Sequence, residues 1–224
     1  MLKKILNDVN VNIEKPFSLL LTSKCAVGKT TFNVLLAYYF LFKERRNVLY
    51  ITNDKESYAY QKMMEKLGST PISSFGKNQW MVIHSIDKII EIIDKLYNKN
   101  DVVIIDDTHL FIFNKEKLHE IVFELKKRSI STIVSVPSIL NVMTDTYDPS
   151  NPLYEPKDKK MALISDYVIS IEKKKIENSF INTIKKIFLF WKPQSNIVLR
   201  VIKNRYSNNK SINLNIDFEK LKIK

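Results

Sequence analysis

Nine consecutive residues, Ser23, Lys24, Cys25, Ala26, Val27, Gly28, Lys29, Thr30 and Thr31, hold the side chains most suited to chemistry. Gly-Lys-Thr between an apolar run and a helical stretch is the end of a phosphate-binding loop. Successive backbone N–H groups at a helix N-terminus wrap a phosphate, and the lysine adds charge. The Ser/Thr hydroxyl then joins a Mg²⁺ shell. Gly28 permits close backbone approach, Lys29 supplies the charge and Thr30 the metal contact. Ser23 stands where such loops usually open with glycine, and a small residue can turn the chain there if its dihedrals stay in allowed space. The chain has only 3 glycines, so a chance Gly-Lys-Thr at such a junction is improbable.

A second element supports the first. Asp101-Val-Val-Ile-Ile-Asp106-Asp107 places four apolar residues before a carboxylate. That is the pattern of a buried strand whose tip presents Asp106 to Mg²⁺ or its water shell. Alone the pattern is weak, because many buried strands end in aspartate. After a phosphate loop, with two strands between them along the chain, it gains weight.

These residues need a scaffold, and the chain alternates short apolar runs with helical ones. Strands are expected at 18–23, 47–52, 80–85, 101–107 and 131–137, with helices at 30–45, 55–68, 86–99 and 114–129. Such alternation predicts an α/β fold with a mostly parallel central sheet flanked by helices. Residues 138–162 read as a long polar, proline-bearing loop of the functional kind. Beyond it, "SDYVISIEKKK", "KKIFLFWKP", "NIVLRVIKN" and "SINLNIDF" predict a C-terminal antiparallel β-meander.

With 224 residues, 45% hydrophobic and 27% charged, the chain fits one well-buried domain. A net charge of +12 favours an anionic partner, nucleic acid before a membrane surface. An AT-rich genome would give the same lysine-rich bias. The apolar run 34–42 is too short to span a bilayer, the N-terminus lacks a secretory pattern, and the single cysteine cannot form an internal disulfide. The expectation is a soluble cytoplasmic protein with no membrane partner. Its histidines, at 84, 109 and 119, lack metal-ligand spacing and read as surface or strand-end residues.

From about Phe17 to Phe218 the chain resembles the RecA-like P-loop ATPase domain of DnaB-type replicative helicases, the phage-type ones above all. "SKCAVGKTT" looks like their phosphate loop, in which a small residue often replaces the first glycine. The resemblance implies a motor domain over 17–224 and an N-terminal extension or linker over 1–16. It implies ATP and Mg²⁺ as cofactors, with Thr30 and Asp106 at the metal. Asp54 stands where the family carries a glutamate that orients the attacking water. Asp107, the residue after Asp106, is a rival to Asp54 for the role of base. "VIKNRYSNNK" is similar to the family's Lys-x-Arg segment, which implies that Lys203 and Arg205 act on a neighbouring subunit's ATP, Arg205 as the arginine finger. The segment 138–162 falls where the family places a DNA-gripping loop. Lys157, Lys159 and Lys160 are then expected to track phosphates and Tyr147 and Tyr154 to stack on bases.

The implied activity is an ATP-dependent helicase or translocase on single-stranded DNA, assembled as a ring, expected to be a hexamer. Primase and other replication proteins are the implied partners, and a phage or plasmid the implied source. Two alternatives stand beside it: a RecA-like recombination, helicase-loading or replication-accessory ATPase, and an ATP-binding module with little hydrolysis. The second draws on two departures. Asp54 is one methylene shorter than glutamate, and Val136-Pro137-Ser138 offers no Gln or His as γ-phosphate sensor, leaving Ser135 or Ser138 for that part.

Overall fold

The computed structural model describes residues 2–23, 28–52, 60–62, 65, 80–83, 89–96, 101–106, 115–137, 159–173, 194–206, 211–217 and 222–223. Helix α1 (Leu2–Asp8) leads to β1 (Ser18–Ser23), α2 (Lys29–Phe42), β2 (Val48–Ile51) and β3 (Trp80–Ile83). Then follow α3 (Ile89–Leu96), β4 (Val102–Ile105), α4 (Lys115–Lys127) and β5 (Ser131–Pro137). The chain closes with α5 (Lys159–Ile164), β6 (Tyr167–Lys173), β7 (Gln194–Asn204), β8 (Ser211–Asp217) and β9 (Lys222–Ile223).

All nine of these strands share one sheet, in the order β3-β2-β4-β5-β1-β6-β7-β8-β9. From β3 to β6 every pairing is parallel, and from β6 to β9 every pairing is antiparallel. β1 lies at the centre, and every one of its residues is buried. That is why Ser18-Leu-Leu-Leu-Thr-Ser23 reads as an unbroken run and not as an alternation.

Successive side chains nonetheless part to opposite faces. Leu19, Leu21, Tyr50, Ile104, Ile133 and Ile169 join α1 and α2 in one core. Leu20, Ile51, Ile105, Val134, Val136 and Val168 join α3, α4 and α5 in the other. Each fully buried aliphatic side chain contributes about 1.5–3 kcal/mol. The apolar stretch of α2 is buried around most of its girth, because the sheet lies on one side and residues from the N-terminal segment on the other.

Three features differ from the sequence expectation. β6 begins the expected meander, antiparallel to β7, but on its other edge it also runs parallel to β1, with Leu19 opposite Tyr167 and Thr22 opposite Ser170. A parallel return needs a crossover of a dozen residues or more, and 138–166 supplies that length. The polar segment is not all loop, since residues 159–164 form α5, whose Met161 is fully buried in the second core. The stretch expected as an extension is also packed down, with Ile5, Leu6, Val9, Val11 and Ile13 buried in the first core beside Phe17. The expected helix at 55–68 falls largely outside the described residues, and "KKIFLFWKP" wholly so. No helix among the described residues is long and apolar enough to cross a membrane.

Candidate functional site

The site is built at the carboxyl ends of the parallel strands, where α2 leaves β1. Gly28 has φ 109° and ψ 25°, a left-handed conformation that glycine adopts without a Cβ clash. Among the described residues, the helical ladder begins with the Phe32 N–H donating to Gly28 O at 2.9 Å. The amides of Lys29, Thr30 and Thr31 form the first turn of the helix, and Gly28 supplies no side-chain cap. Lys29 folds back over the strand end, its Nζ 3.1 Å from Ser23 Oγ and 3.4 Å from Ser23 O. First-turn amides, a lysine and a hydroxyl at one helix N-terminus fit a phosphate group. Lys24, Cys25, Ala26 and Val27 lie outside the described residues.

Asp106 follows β4 and is completely buried. A carboxylate in that position requires donors. Tyr50 Oη donates to its Oδ2 at 2.7 Å, and Asn33 Nδ2 donates to its Oδ1 at 2.8 Å. The same Asn33 nitrogen donates to Ser135 Oγ at 2.6 Å. The sheet order explains the bridge. β5 lies between β1 and β4, so Asp106 stands two strands from the loop strand, about 10 Å away. Asn33, one turn into α2, spans the gap and ties helix, metal-type carboxylate and β5 together. Its own Oδ1 is buried with no partner among the described residues.

Asn33 and Tyr50 were not foreseen as site residues. The signals were present: one amide inside the otherwise apolar Phe32–Phe42 run, and one phenol inside Val48-Leu-Tyr-Ile51. Ser135 proves to be a buried member of this network. Asp54, Asp107 and Ser138 lie outside the described residues. Among the described residues no group of three or more His, Cys, Asp or Glu is placed to hold a metal ion. The set of one hydroxyl and one aspartate suits Mg²⁺, which takes few protein ligands and completes its shell with phosphate oxygens and water.

Arg205 is elsewhere. Its N–H donates to Asp166 O at 3.0 Å, and the Asp166 N–H donates to Ser18 O at 2.9 Å. Arg205 is thus level with the start of β1, whereas the loop leaves from its end. Five residues along the strand and two strands across separate Arg205 from Ser23, about 20 Å in all. Its guanidinium lies 3.3 Å from Asp166 Oδ1 and donates to Leu163 O at 3.3 Å. Lys203 lies opposite Val168 in β7, next to a register shift between Val168 and Ile169. Such a bulge re-aims the strand end.

Asp166 is a buried junction. It takes Lys126 Nζ at 2.6 Å on Oδ1 and the Ser18 hydroxyl at 2.9 Å on Oδ2. Burial pushes its pKa up, but the hydrogen bonds from Lys126 and Ser18 and the Lys126 charge outweigh that, holding it below the ordinary 3.8. Of the residues expected to touch nucleic acid, Lys159 and Lys160 belong to α5, with Lys160 exposed, while Tyr147, Tyr154 and Lys157 lie outside the described residues. His119 lies on α4 and is buried, unlike the surface or strand-end position expected for it.

No protein-family model matches the chain, and no curated protein sequence matches it. A solved structure does. A KaiC-like protein from the hyperthermophilic archaeon Pyrococcus horikoshii superposes with a TM-score of 0.61 at 13% identity, over 93% of this chain and 88% of that one. The fold is RecA-like. Identity this low speaks for the fold alone, and the sheet order accounts for the placement of Gly28, Lys29 and Asp106 at the carboxyl ends of two of its parallel strands. The narrower likeness to DnaB-type motors rests on the sequence motifs.

Proposed function

We propose that this RecA-like chain is a Mg²⁺-dependent ATP hydrolase whose active site is completed by a neighbouring copy, and that it works as a motor on single-stranded DNA. Lys29 and the amides at the start of α2 would hold the phosphates. Thr30 would join the metal's oxygen shell and Asp106 would orient it, steadied by Asn33 and Tyr50. ATP supplies the phosphoryl group, and charge spreading over that group needs an opposing cation.

The observation that carries the reading is the separation of Arg205 from its own loop. At about 20 Å, two strands across and a strand length down, Arg205 cannot serve the phosphates its own chain would bind. It can serve those of a second copy. Leu163 and Tyr206, beside Arg205, are 71% and 68% exposed, which suits a surface covered by another subunit. The ring, the DNA track and replication partners follow from the resemblance and from the net charge of +12.

One observation favours the quieter alternative of binding with little turnover. Both Asp106 oxygens already accept side-chain hydrogen bonds, and β5 ends in Val136-Pro137. ATP turnover by wild type and Lys29→Ala, with and without single-stranded DNA, separates the two. The motor reading expects DNA-stimulated turnover that Lys29→Ala abolishes. ATP binding without turnover under both conditions would establish the alternative.

A further inference from the structure

Arg205 is the residue the proposed reaction asks most of, yet it stands on a strand end with nearly half its side chain exposed. A finger left loose there would lose rotamer freedom each time it engaged a neighbour's phosphates. The structure supplies a mount. Asp166 receives the Arg205 backbone N–H on its carbonyl and the guanidinium on its carboxylate. Asp166 is itself immobilised: its side chain is 4% exposed, the Ser18 N–H and hydroxyl hold Oδ2 at 3.0 and 2.9 Å, and Lys126 holds Oδ1. Ser18 begins the central strand and Lys126 lies on α4, so the mount is tied to both the sheet and a helix of the second core. The Leu163 carbonyl of α5 holds the guanidinium from another side.

We infer that Asp166 is a positioning residue, which presents Arg205 to the nucleotide of the adjoining copy. The inference rests on the reading of Arg205 as a trans-acting group. A chain that held Arg205 in cis for stability alone would not need a carboxylate locked by a serine hydroxyl, a lysine and a backbone N–H. The geometry instead keeps the guanidinium at a fixed height on the sheet, while its side chain stays 45% exposed.

Mixed assemblies test this without assuming that Asp166→Asn is silent for folding. Arg205→Ala alone is expected to lower ATP turnover about 1,000-fold or more. Asp166→Asn alone should lower it about 100-fold, as misplacement of a catalytic group does. Each is then mixed in equal amounts with Lys29→Ala, which lacks a working loop but carries an intact finger. In a head-to-tail ring about a quarter of interfaces then pair a good loop with a good finger. Both mixtures should regain about that fraction of wild-type turnover if Asp166 acts through Arg205.

Rescue of Arg205→Ala without rescue of Asp166→Asn would overturn the inference, because the defect would lie within the subunit that binds ATP. Wild-type turnover by Asp166→Asn would overturn it as well. If neither mixture recovers, the trans-acting role of Arg205 itself fails and the inference goes with it. Asp166→Glu, which keeps the charge but shifts it by a methylene, takes the place of Asp166→Asn should the latter fail to fold. The same rescue is expected of it.

Discussion

Asn33 donates to Asp106 across 2.8 Å from the second turn of a helix that leaves a different strand. A single amide thereby fixes the carboxylate at the β4 tip relative to the loop that precedes α2. Because Asn33 also reaches Ser135 at 2.6 Å, any movement of β5 is felt at Asp106. The arrangement makes three elements one unit, at the cost of a buried Asn33 Oδ1 with no partner among the described residues.

Replacing Asn33 by alanine removes a donor from a buried carboxylate, which costs about 1.5–3 kcal/mol. In a chain of this size each kcal/mol moves Tm by about 2–4 °C. Thermal unfolding should show that loss, and the Mg²⁺ concentration needed for half-maximal nucleotide binding should rise. An unchanged Mg²⁺ requirement beside a lowered Tm would confine Asn33 to a structural part.

Gly28→Ala forces a Cβ into a left-handed conformation at φ 109°. The expected cost is about 1–2 kcal/mol of stability. Nucleotide affinity should fall further than Tm suggests, because the amides that follow Gly28 would be turned from the phosphates. Titration calorimetry with ATP and Mg²⁺ reads that difference directly.

Arg46 is a structural cation well away from the loop. Its Nη2 donates to Ser131 Oγ at 2.7 Å and to Asp101 O at 3.3 Å, its Nη1 donates to Ile13 O at 3.3 Å, and its guanidinium lies 5.2 Å from the Phe40 ring centre. Burial lowers its pKa, opposed by the charges of Asp101 and Glu44. Lysine cannot reproduce that planar fork. Arg46→Lys should therefore lower Tm by several degrees while nucleotide affinity, measured by titration, stays at the wild-type value.

Asp166 and Glu172 should bend the pH–stability curve in opposite directions. Asp166 has a folded pKa below 3.8, so its contribution is complete above that value and is lost as pH falls through the folded one. Glu172 is raised above 4.5, chiefly by burial, with Arg200 and Ser170 offsetting part of it. The folded chain then holds that proton more tightly, and stability declines as pH climbs from 4.5 through the raised value. Asp166→Asn should flatten the acid limb of urea unfolding midpoints, and Glu172→Gln the decline above pH 4.5.

Much of this protein is determined by the sequence alone. Unbroken apolar runs require strands buried on both faces, so the parallel α/β core was legible, as was Gly-Lys-Thr at the exit of β1. The carboxylate at the tip of β4 was legible for the same local reason: one polar residue ends four apolar ones. Tertiary structure decided what depends on residues far apart in the chain. The parallel seating of β6 beside β1 is a choice between two sheet edges that no local pattern distinguishes. The union of Asn33, Tyr50, Ser135 and Asp106 needs β5 inserted between β1 and β4, which only the strand order supplies. The contact of Arg205 with Asp166, and its distance from Ser23, likewise arise from the antiparallel return of β7. Local propensity can specify a strand or a helix, but pairing energy across the whole sheet selects its neighbours.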